Sequence, residues 1–187
     1  SVLDYKYLEP KPSTPIYAQN VSADVAEERS FYSKNPADLF FNITHDSTKS
    51  MVAPGIKAAE IMQLNFRTGS DVAELENLTL KVSGIDGNEI KGAYLMEKDK
   101  IVATASISSD YLKFNDINRQ FEKDTYSTLS LKLDLSENLK IGTRIRLDIE
   151  KAEDIEIEVD AGSFAINSYY PIKGQYLSIS KLKTANP

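Results

Sequence analysis

Residues 125–135 read TYSTLSLKLDL, and a leucine occupies every second position from 129 to 135. Residues 143–149, TRIRLDI, repeat this alternation with isoleucine and leucine. Because successive side chains of a β-strand point to opposite faces, each run predicts a strand with one apolar and one polar face. Such strands are typical of antiparallel sheets that pack face to face around a core.

Further short strands with the same alternation are predicted on both sides of these two runs. Residues 60–68 place Met62, Leu64 and Phe66 on one inward face. The polar run EKDK at 97–100 is typical of a hairpin turn between two apolar runs. We count about nine strands, and no helical run of 10–15 residues separates them, which excludes doubly wound α/β folds. The predicted fold is an all-β, antiparallel β-sandwich.

The chain of 187 residues is long enough for one domain with an arm. Residues 1–20 are predicted to form an extended arm, because three prolines between positions 10 and 15 prevent a helix. Residues 21–50 are predicted to hold one short helix, which starts at Ser22 and ends near Pro36, and a lead-in strand. The sandwich domain is predicted at 51–182, followed by a polar tail at 183–187.

Composition excludes several classes of function. The chain has 22 Lys and Arg against 28 Asp and Glu, a net charge of −6. Neither a nucleic-acid partner nor an anionic membrane surface suits this acidic balance. Cysteine is absent, which excludes thiol catalysis, thiolate metal sites and disulfides. No apolar run approaches the roughly 20 residues that span a bilayer, so we expect no membrane insertion by this chain.

Catalysis finds little support in the sequence. The single histidine, His45, lies in the run THDS at 44–47, but no G-x-S-x-G elbow accompanies it. A loop histidine is the simpler interpretation, and one histidine cannot form a two-histidine zinc site within one chain. Paired carboxylates for a hydrolase need a cleft that sequence does not reveal. We therefore expect no catalytic residues and no enzymatic activity.

Calcium is the one cofactor that the acidic residues suggest. Seven carboxylates cluster between 148 and 160, of which Glu156, Glu158 and Asp160 alternate along a predicted strand, a spread that suits a solvated face better than a chelating loop. The better candidates lie in turns, with Glu153 and Asp154 in one and Asp86 and Asn88 in the other. Neither turn has the full EF-hand pattern. No other cofactor is expected.

Tyrosine is abundant, with ten residues, whereas tryptophan is absent. The dense spots are Tyr5 with Tyr7 and Tyr169 with Tyr170. Exposed tyrosines stack on sugar rings or anchor protein partners, so these four are the candidates for partner binding. The alternative is that tyrosine serves here as a good strand former. Carbohydrate-binding modules usually display tryptophan as well.

The strand spacing over about half of the chain resembles a known module. The runs that carry the resemblance are residues 64–72, 78–84, 90–97, 112–114, 126–135 and 141–147. Together they are similar to an immunoglobulin-like β-sandwich module of large bacterial cell-surface and secreted proteins. The resemblance implies a place outside the cytoplasm, in a surface layer, an appendage or an adhesive stalk. It carries no site residues to this chain.

Two functional hypotheses follow, with a third in reserve. The first is a non-catalytic structural or interaction domain at the cell surface, in which the arm adds a strand to a neighbouring sheet. Its partners are other protein subunits or cell-surface components. The alternative is a carbohydrate- or peptide-binding module of a secreted enzyme or scaffold. The weakest is a hydrolase that uses acidic residues.

Overall fold

Almost all regular structure is β-strand in a computed structural model that describes residues 29–33, 39–44, 50–69, 71–159, 162–163, 166–167 and 169–181. Two single 3₁₀ turns, Gly87–Glu89 and Ala152–Asp154, interrupt seventeen described strands. The strands are β1 (Arg29–Ser33), β2 (Phe40–Thr44), β3 (Met51–Val52), β4 (Ala59–Arg67), β5 (Ala73–Ser83), β6 (Ile90–Glu97), β7 (Lys100–Thr104), β8 (Ser106–Ile107), β9 (Tyr111–Phe114), β10 (Arg119–Phe121), β11 (Tyr126–Leu135), β12 (Arg144–Ile149), β13 (Ile155–Val159), β14 (Gly162–Ser163), β15 (Ile166–Asn167), β16 (Ile172–Lys173) and β17 (Leu177–Ile179). The all-β prediction is confirmed.

The strands form two sheets. The first has the order β15-β1-β2-β4-β11-β6-β7. The second follows β14-β13-β5-β12-β17-β3, with β9 and β10 also paired to β5, β8 to β9 and β16 to β12. The pairing is antiparallel except between β17 and β3. No helical segment of the described residues has the length or the apolar character of a membrane span.

The described strands outnumber the nine that the sequence predicts because several of them are interrupted or change partner. β12 and β13 both pair with β5 and are separated by a 3₁₀ turn. β9 and β10 pair with the other side of β5. The segment from β7 to β8 leaves the first sheet at Ala105 and enters the second. Hydrophobic alternation shows which side chains face inward, but not which strand lies alongside.

One cluster of buried apolar side chains contains residues of both sheets. The predicted inward residues Met62, Leu64 and Phe66 are all buried, as are the four alternating leucines of β11, so these predictions are confirmed. The ring of Phe66 in the first sheet stacks on that of Phe121 in the second, with centroids 4.6 Å apart. At roughly 25 cal/mol per Å² of buried apolar surface, this shared core is the main source of stability.

The two-sheet unit begins earlier than the boundary predicted at residue 51. β2 pairs with β4, and its Phe41 is fully buried, 5.0 Å from Phe66 between ring centroids. β1 pairs with β2. The predicted helix therefore does not continue to Pro36, since Arg29–Ser33 is a strand, and its part at 22–28 lies outside the described residues. Pairing of β1 with β2 requires extended backbone, which a helix over the same residues would not provide.

A bulge in β5 determines the outer face of the second sheet. Asn77 lies opposite Glu156 and Leu75 opposite Ile157, so Glu76 is an extra residue without an opposite partner in β13. Because of this insertion, Leu75 and Leu78 both point into the core. Glu74, Asn77 and the following alternate residues of β5 then lie on the outer face.

Candidate functional site

The first predicted calcium pair, Asp86 and Asn88, lies at the 3₁₀ turn before β6. The Asp86 carboxylate accepts a hydrogen bond from the Asn88 N–H at 2.8 Å. In return, the Glu89 carboxylate accepts one from the Asp86 N–H at 3.1 Å, which completes a capping box. Asp86 therefore caps the turn, and both members of the predicted pair are exposed. A calcium site here stays a prediction.

The second predicted calcium pair, Glu153 and Asp154, lies in the 3₁₀ turn between β12 and β13. Asp154 is buried, and its Oδ2 accepts hydrogen bonds from the N–H groups of Glu150 and Lys151, each at 3.1 Å. Glu153 is exposed. Across the described part of the chain, no three His, Cys, Asp or Glu side chains are grouped so that they would hold a metal ion.

The predicted partner-binding tyrosines are only partly described. Tyr5 and Tyr7 lie outside the described residues. Tyr169 is 98% exposed, whereas Tyr170 is half-buried. Burial raises the pKa of the Tyr170 hydroxyl, and the nearby charges of Glu153 and Asp154 raise it further. Tyr169 is therefore the member of this pair that remains available for contact.

Two more exposed tyrosines lie on different sheets. Tyr126 begins β11 in the first sheet, whereas Tyr176 precedes β17 in the second. The Arg146 guanidinium carbon lies 4.5 Å from the centroid of the Tyr176 ring, a cation–π contact. The exposed tyrosines among the described residues thus do not line one sheet face.

A cleft of about 280 Å³ lies where the turn before β4 meets the turn after β11. It is lined by Gly55, Lys57, Lys91, Leu135, Ser136, Glu137 and Asn138. Only one lining residue carries a carboxylate, so this cleft does not provide the two acidic groups that a glycosidase needs. The candidate histidine, His45, lies outside the described residues.

Opposite charges meet at one end of the outer face of the second sheet, here named the paired end. Lys81 Nζ lies 2.5 Å from one carboxylate oxygen of Glu150, and the Tyr111 hydroxyl donates to the other at 2.8 Å. The hydrogen bond from Lys81, followed by that from Tyr111, lowers the pKa of Glu150. The same contact raises the pKa of Lys81. The paired end consists of Lys81, Tyr111, Arg146, Asp148 and Glu150.

Arg146 and Asp148 form the more buried pair of the paired end. Arg146 donates from Nε at 3.0 Å and from Nη2 at 2.7 Å to the same oxygen of Asp148. The other Asp148 oxygen accepts from the Gly174 N–H at 3.0 Å. A side chain at Gly174 would come within 2.3 Å of the Leu147 carbonyl oxygen, so only glycine permits this approach. The pair therefore fastens the segment before β17 onto β12.

Like charges collect at the other end, here named the acidic end. Glu158 lies directly opposite Glu74 in the β13–β5 register, an unfavourable cross-strand pair. Burial raises the pKa of Glu76, and the charges of four neighbouring carboxylates raise it further. Asn77 relieves part of this crowding, since its amide donates to Glu156 at 2.6 Å. The acidic end consists of Glu74, Glu76, Asp116, Glu156 and Glu158.

A row of neutral polar groups crosses part of the outer face of the first sheet. Asn65 donates to the Thr44 hydroxyl at 2.8 Å and accepts from the Thr128 hydroxyl at 2.7 Å, so one row crosses β2, β4 and β11. Asn42 lies opposite Asn65 and is buried, and its Oδ1 has no hydrogen-bond partner within the described structure. This row fixes strand register through hydrogen bonds rather than ion pairs.

β7 is the last strand of the first sheet and lies at its edge. Within the described residues it pairs with β6 and with no other strand. Its Ile101 is 52% exposed. Arg119 of β10 donates twice to the carboxylate of Glu97, at 3.1 and 2.6 Å, and so ties the end of β6 to the second sheet. The edge is therefore held in place by the neighbouring sheet.

Sequence reasoning missed both the Arg146–Asp148 pair and the edge strand. For the pair, a signal exists: two opposite charges at positions i and i+2 of a predicted strand share one face. For the edge, the sequence offers none, because the order of strands in a sheet follows from tertiary pairing. Comparisons of the chain with models of known protein families, with curated proteins and with solved structures find no match.

Proposed function

We propose that the protein is a non-catalytic structural or interaction domain, which assembles with neighbouring subunits through its N-terminal arm. The observation that carries this proposal is the edge of the first sheet, where β7 has no strand partner on its outer side among the described residues. An unpaired edge offers a row of backbone donors and acceptors to an added strand. The Pro-rich arm of residues 1–20 is the segment of this chain that suits such an addition.

The described polar groups support a structural role. Asp86 and Asp154 cap turns, Asp148 holds Arg146 and Gly174, and Arg119 joins the two sheets through Glu97. Each of these side chains is engaged by other parts of the fold rather than directed into a cleft. Chemistry of this kind stabilises a scaffold.

An immunoglobulin-like sandwich is the proposed finer description of the fold. It is supported by antiparallel pairing, by one core shared between two sheets, and by successive strands that alternate between the sheets from β4 to β6 and from β10 to β12. By the resemblance to modules of bacterial surface proteins, the proposed location is extracellular or at the cell surface. The proposed partners are other protein subunits or cell-surface components.

Light scattering over a concentration series tests the proposal, with the full chain compared to a version that begins at Gln19. All described strands start at or after Arg29, so the shorter version keeps them. We expect the full chain to assemble and the shorter version to remain monomeric. Parallel runs with calcium report whether the ion contributes. Equal behaviour of both versions in every condition contradicts the proposal and favours the alternative of a carbohydrate- or peptide-binding module.

A further inference from the structure

The backbone of β7 is prepared to accept another strand on its outer side. The Ala105 N–H donates to the Ala93 carbonyl at 3.0 Å, which makes these residues a hydrogen-bonded pair. Hydrogen-bonded and non-hydrogen-bonded pairs alternate in an antiparallel ladder. The next pair, Thr104 opposite Tyr94, is therefore non-hydrogen-bonded. The N–H of Thr104 consequently points away from β6, towards the free side of the sheet.

The side chains of β7 do little to protect this edge. Natural edge strands are usually blunted by proline, by inward charges or by strong bulging. β7 contains no proline, and after Lys100 it has the uncharged sequence IVAT. It carries one bulge, at Val102, because Leu95 lies opposite Ala103 and Met96 opposite Ile101. Val102 and Ala103 pack against the core, while Ile101 is 52% exposed. A short apolar edge of this kind is a template for strand addition unless another segment covers it.

The edge strand is also held in place, which lowers the conformational-entropy cost of adding another strand. One end of the β6–β7 hairpin is held by the two hydrogen bonds from Arg119 to Glu97. At the other end, the chain passes through Ala105 into β8, which pairs with β9 of the second sheet. An edge that is already extended and fixed at both ends loses little conformational freedom on binding.

We infer that β7 accepts residues 2–8 of a second copy of this chain as an added strand. This inference rests on the proposed function, in which the arm mediates assembly. Residues 2–8 precede Pro10 and contain no proline, so every amide is available. Tyr5 and Tyr7 are two residues apart and share one face of a strand. An aromatic ring beside a β-branched residue is a favourable cross-strand pair, so a tyrosine opposite Ile101 covers its exposed side chain.

The dimensions of the chain permit this contact, and the strand order favours a second copy. Residues 9–28 separate the donor segment from β1, a tether of at most about 70 Å. In the first sheet, five strand spacings separate β1 from β7, or about 24 Å. Within one copy, the start of β1 is thus separated from β7 by the width of the sheet. Copies aligned edge to edge bring the start of β1 of one copy closer to β7 of the next, within reach of the arm, a heterologous contact that propagates into chains.

A donor-only and an acceptor-only chain test the inference by complementation. The donor-only chain is the full chain with Thr104→Pro, which removes the outward N–H at a position where an edge strand tolerates proline. The acceptor-only chain begins at Gln19 and keeps β7 intact. We expect each to scatter light as a monomer. Their equimolar mixture should double in mass and stop at a 1:1 complex.

Two substitutions in the full chain support this test. Ile101→Lys places a charge on the edge without altering the backbone and should also abolish assembly, so it decides the result if Thr104→Pro does not fold. Ile141→Lys is the matched control, because Ile141 is 46% exposed in the turn before β12 and lies away from the edge. Its assembly should equal that of the unmodified chain. Circular dichroism melting curves verify that each variant is folded.

The outcomes separate this inference from the proposed function. If the Thr104→Pro and Ile101→Lys chains assemble as well as the unmodified chain, whereas the version from Gln19 does not, the arm acts elsewhere and β7 is not the acceptor. If the version from Gln19 assembles normally, the proposed function is wrong as well. A full chain that remains monomeric at every concentration overturns both the second copy as the occupant of β7 and the proposed function.

Discussion

The two ends of the outer face of the second sheet are built from the same kind of strand and behave in opposite ways. At the paired end, neighbouring strands bring opposite charges together, and the pKa of Glu150 is lowered. At the acidic end, they bring like charges together, and the pKa of Glu76 is raised. Both ends include residues of β5. The comparison shows that the charges on the same strand and on its neighbours together decide whether a surface charge stabilises the fold.

The largest loss of unfolding free energy is expected from Asp148→Ala at the paired end. The substitution removes the carboxylate that pairs with the Arg146 guanidinium, whose side chain is only 17% exposed, and takes one of two acceptors from the Gly174 N–H. Breaking a buried ion pair is strongly destabilising, so we expect a loss of about 2–4 kcal/mol. Urea unfolding measures it, with Arg144→Ala, an exposed residue of the same strand, as control. A loss no larger than that of the control would mean that the pair does not fasten β17.

A smaller loss of stability is expected from Asp154→Ala, in the turn between β12 and β13. The carboxylate caps the turn that divides β12 from β13, and its removal leaves two N–H groups without an acceptor. By analogy with helix caps, the cost is about 1–2 kcal/mol. Asp154→Asn keeps an oxygen acceptor and should recover part of the loss. Glu153→Ala is the exposed control next to it, and an equal effect of both would contradict the capping role.

Glu150→Gln tests the sign of the interaction at the paired end. Because the folded-state pKa of Glu150 is lowered, its contribution is present above the ordinary value of 4.5 and is lost as pH falls through the folded pKa. We expect the variant to melt at a lower temperature than the unmodified chain at pH 7, and the difference to vanish in acid. Glu122→Gln, at an exposed position, is the control. A difference that persists at low pH would rule out the charge as its cause.

Glu76→Gln should change the melting temperature least, and it should raise it, whereas Glu150→Gln lowers it. Because the folded-state pKa of Glu76 is raised, its carboxylate opposes folding once it is ionised, above about its ordinary value of 4.5. The variant should therefore melt slightly higher than the unmodified chain at pH 7. The gain should shrink in high salt, which screens the neighbouring carboxylates, and disappear below pH 4.5. A lower melting temperature at pH 7 would contradict the comparison.

Much of the fold could be predicted from local pattern. The leucines of β11 and the residues Met62, Leu64 and Phe66 are buried as their alternation indicates. The turn at 98–99 joins β6 to β7 where the polar run predicts a hairpin. These features depend on the two-residue period of a strand, which a sequence displays directly. The strand at Arg29–Ser33 was missed because it is defined by pairing with β2 and β15 rather than by a pattern in its own residues.

Less of the candidate site could be predicted. Asp86 and Asp154 stood out as turn carboxylates, yet their use as caps depends on which amides lie within reach. The importance of Asp148 depends on Gly174, 26 positions further along the chain. Contacts over such separations arise only when strands pair, so no local pattern records them.

Short-range periodicity and turn chemistry are enough to predict the all-β class, the inward face of each main strand and the positions of the turns between strands. Tertiary pairing is needed to know which charges on different strands meet, which carboxylates cap backbone amides and which strand lies at the edge. This is because hydrogen bonding between strands is available to any extended segment. The choice of neighbour is made by the packing of the whole core, and that choice leaves β7 with a free side among the described strands.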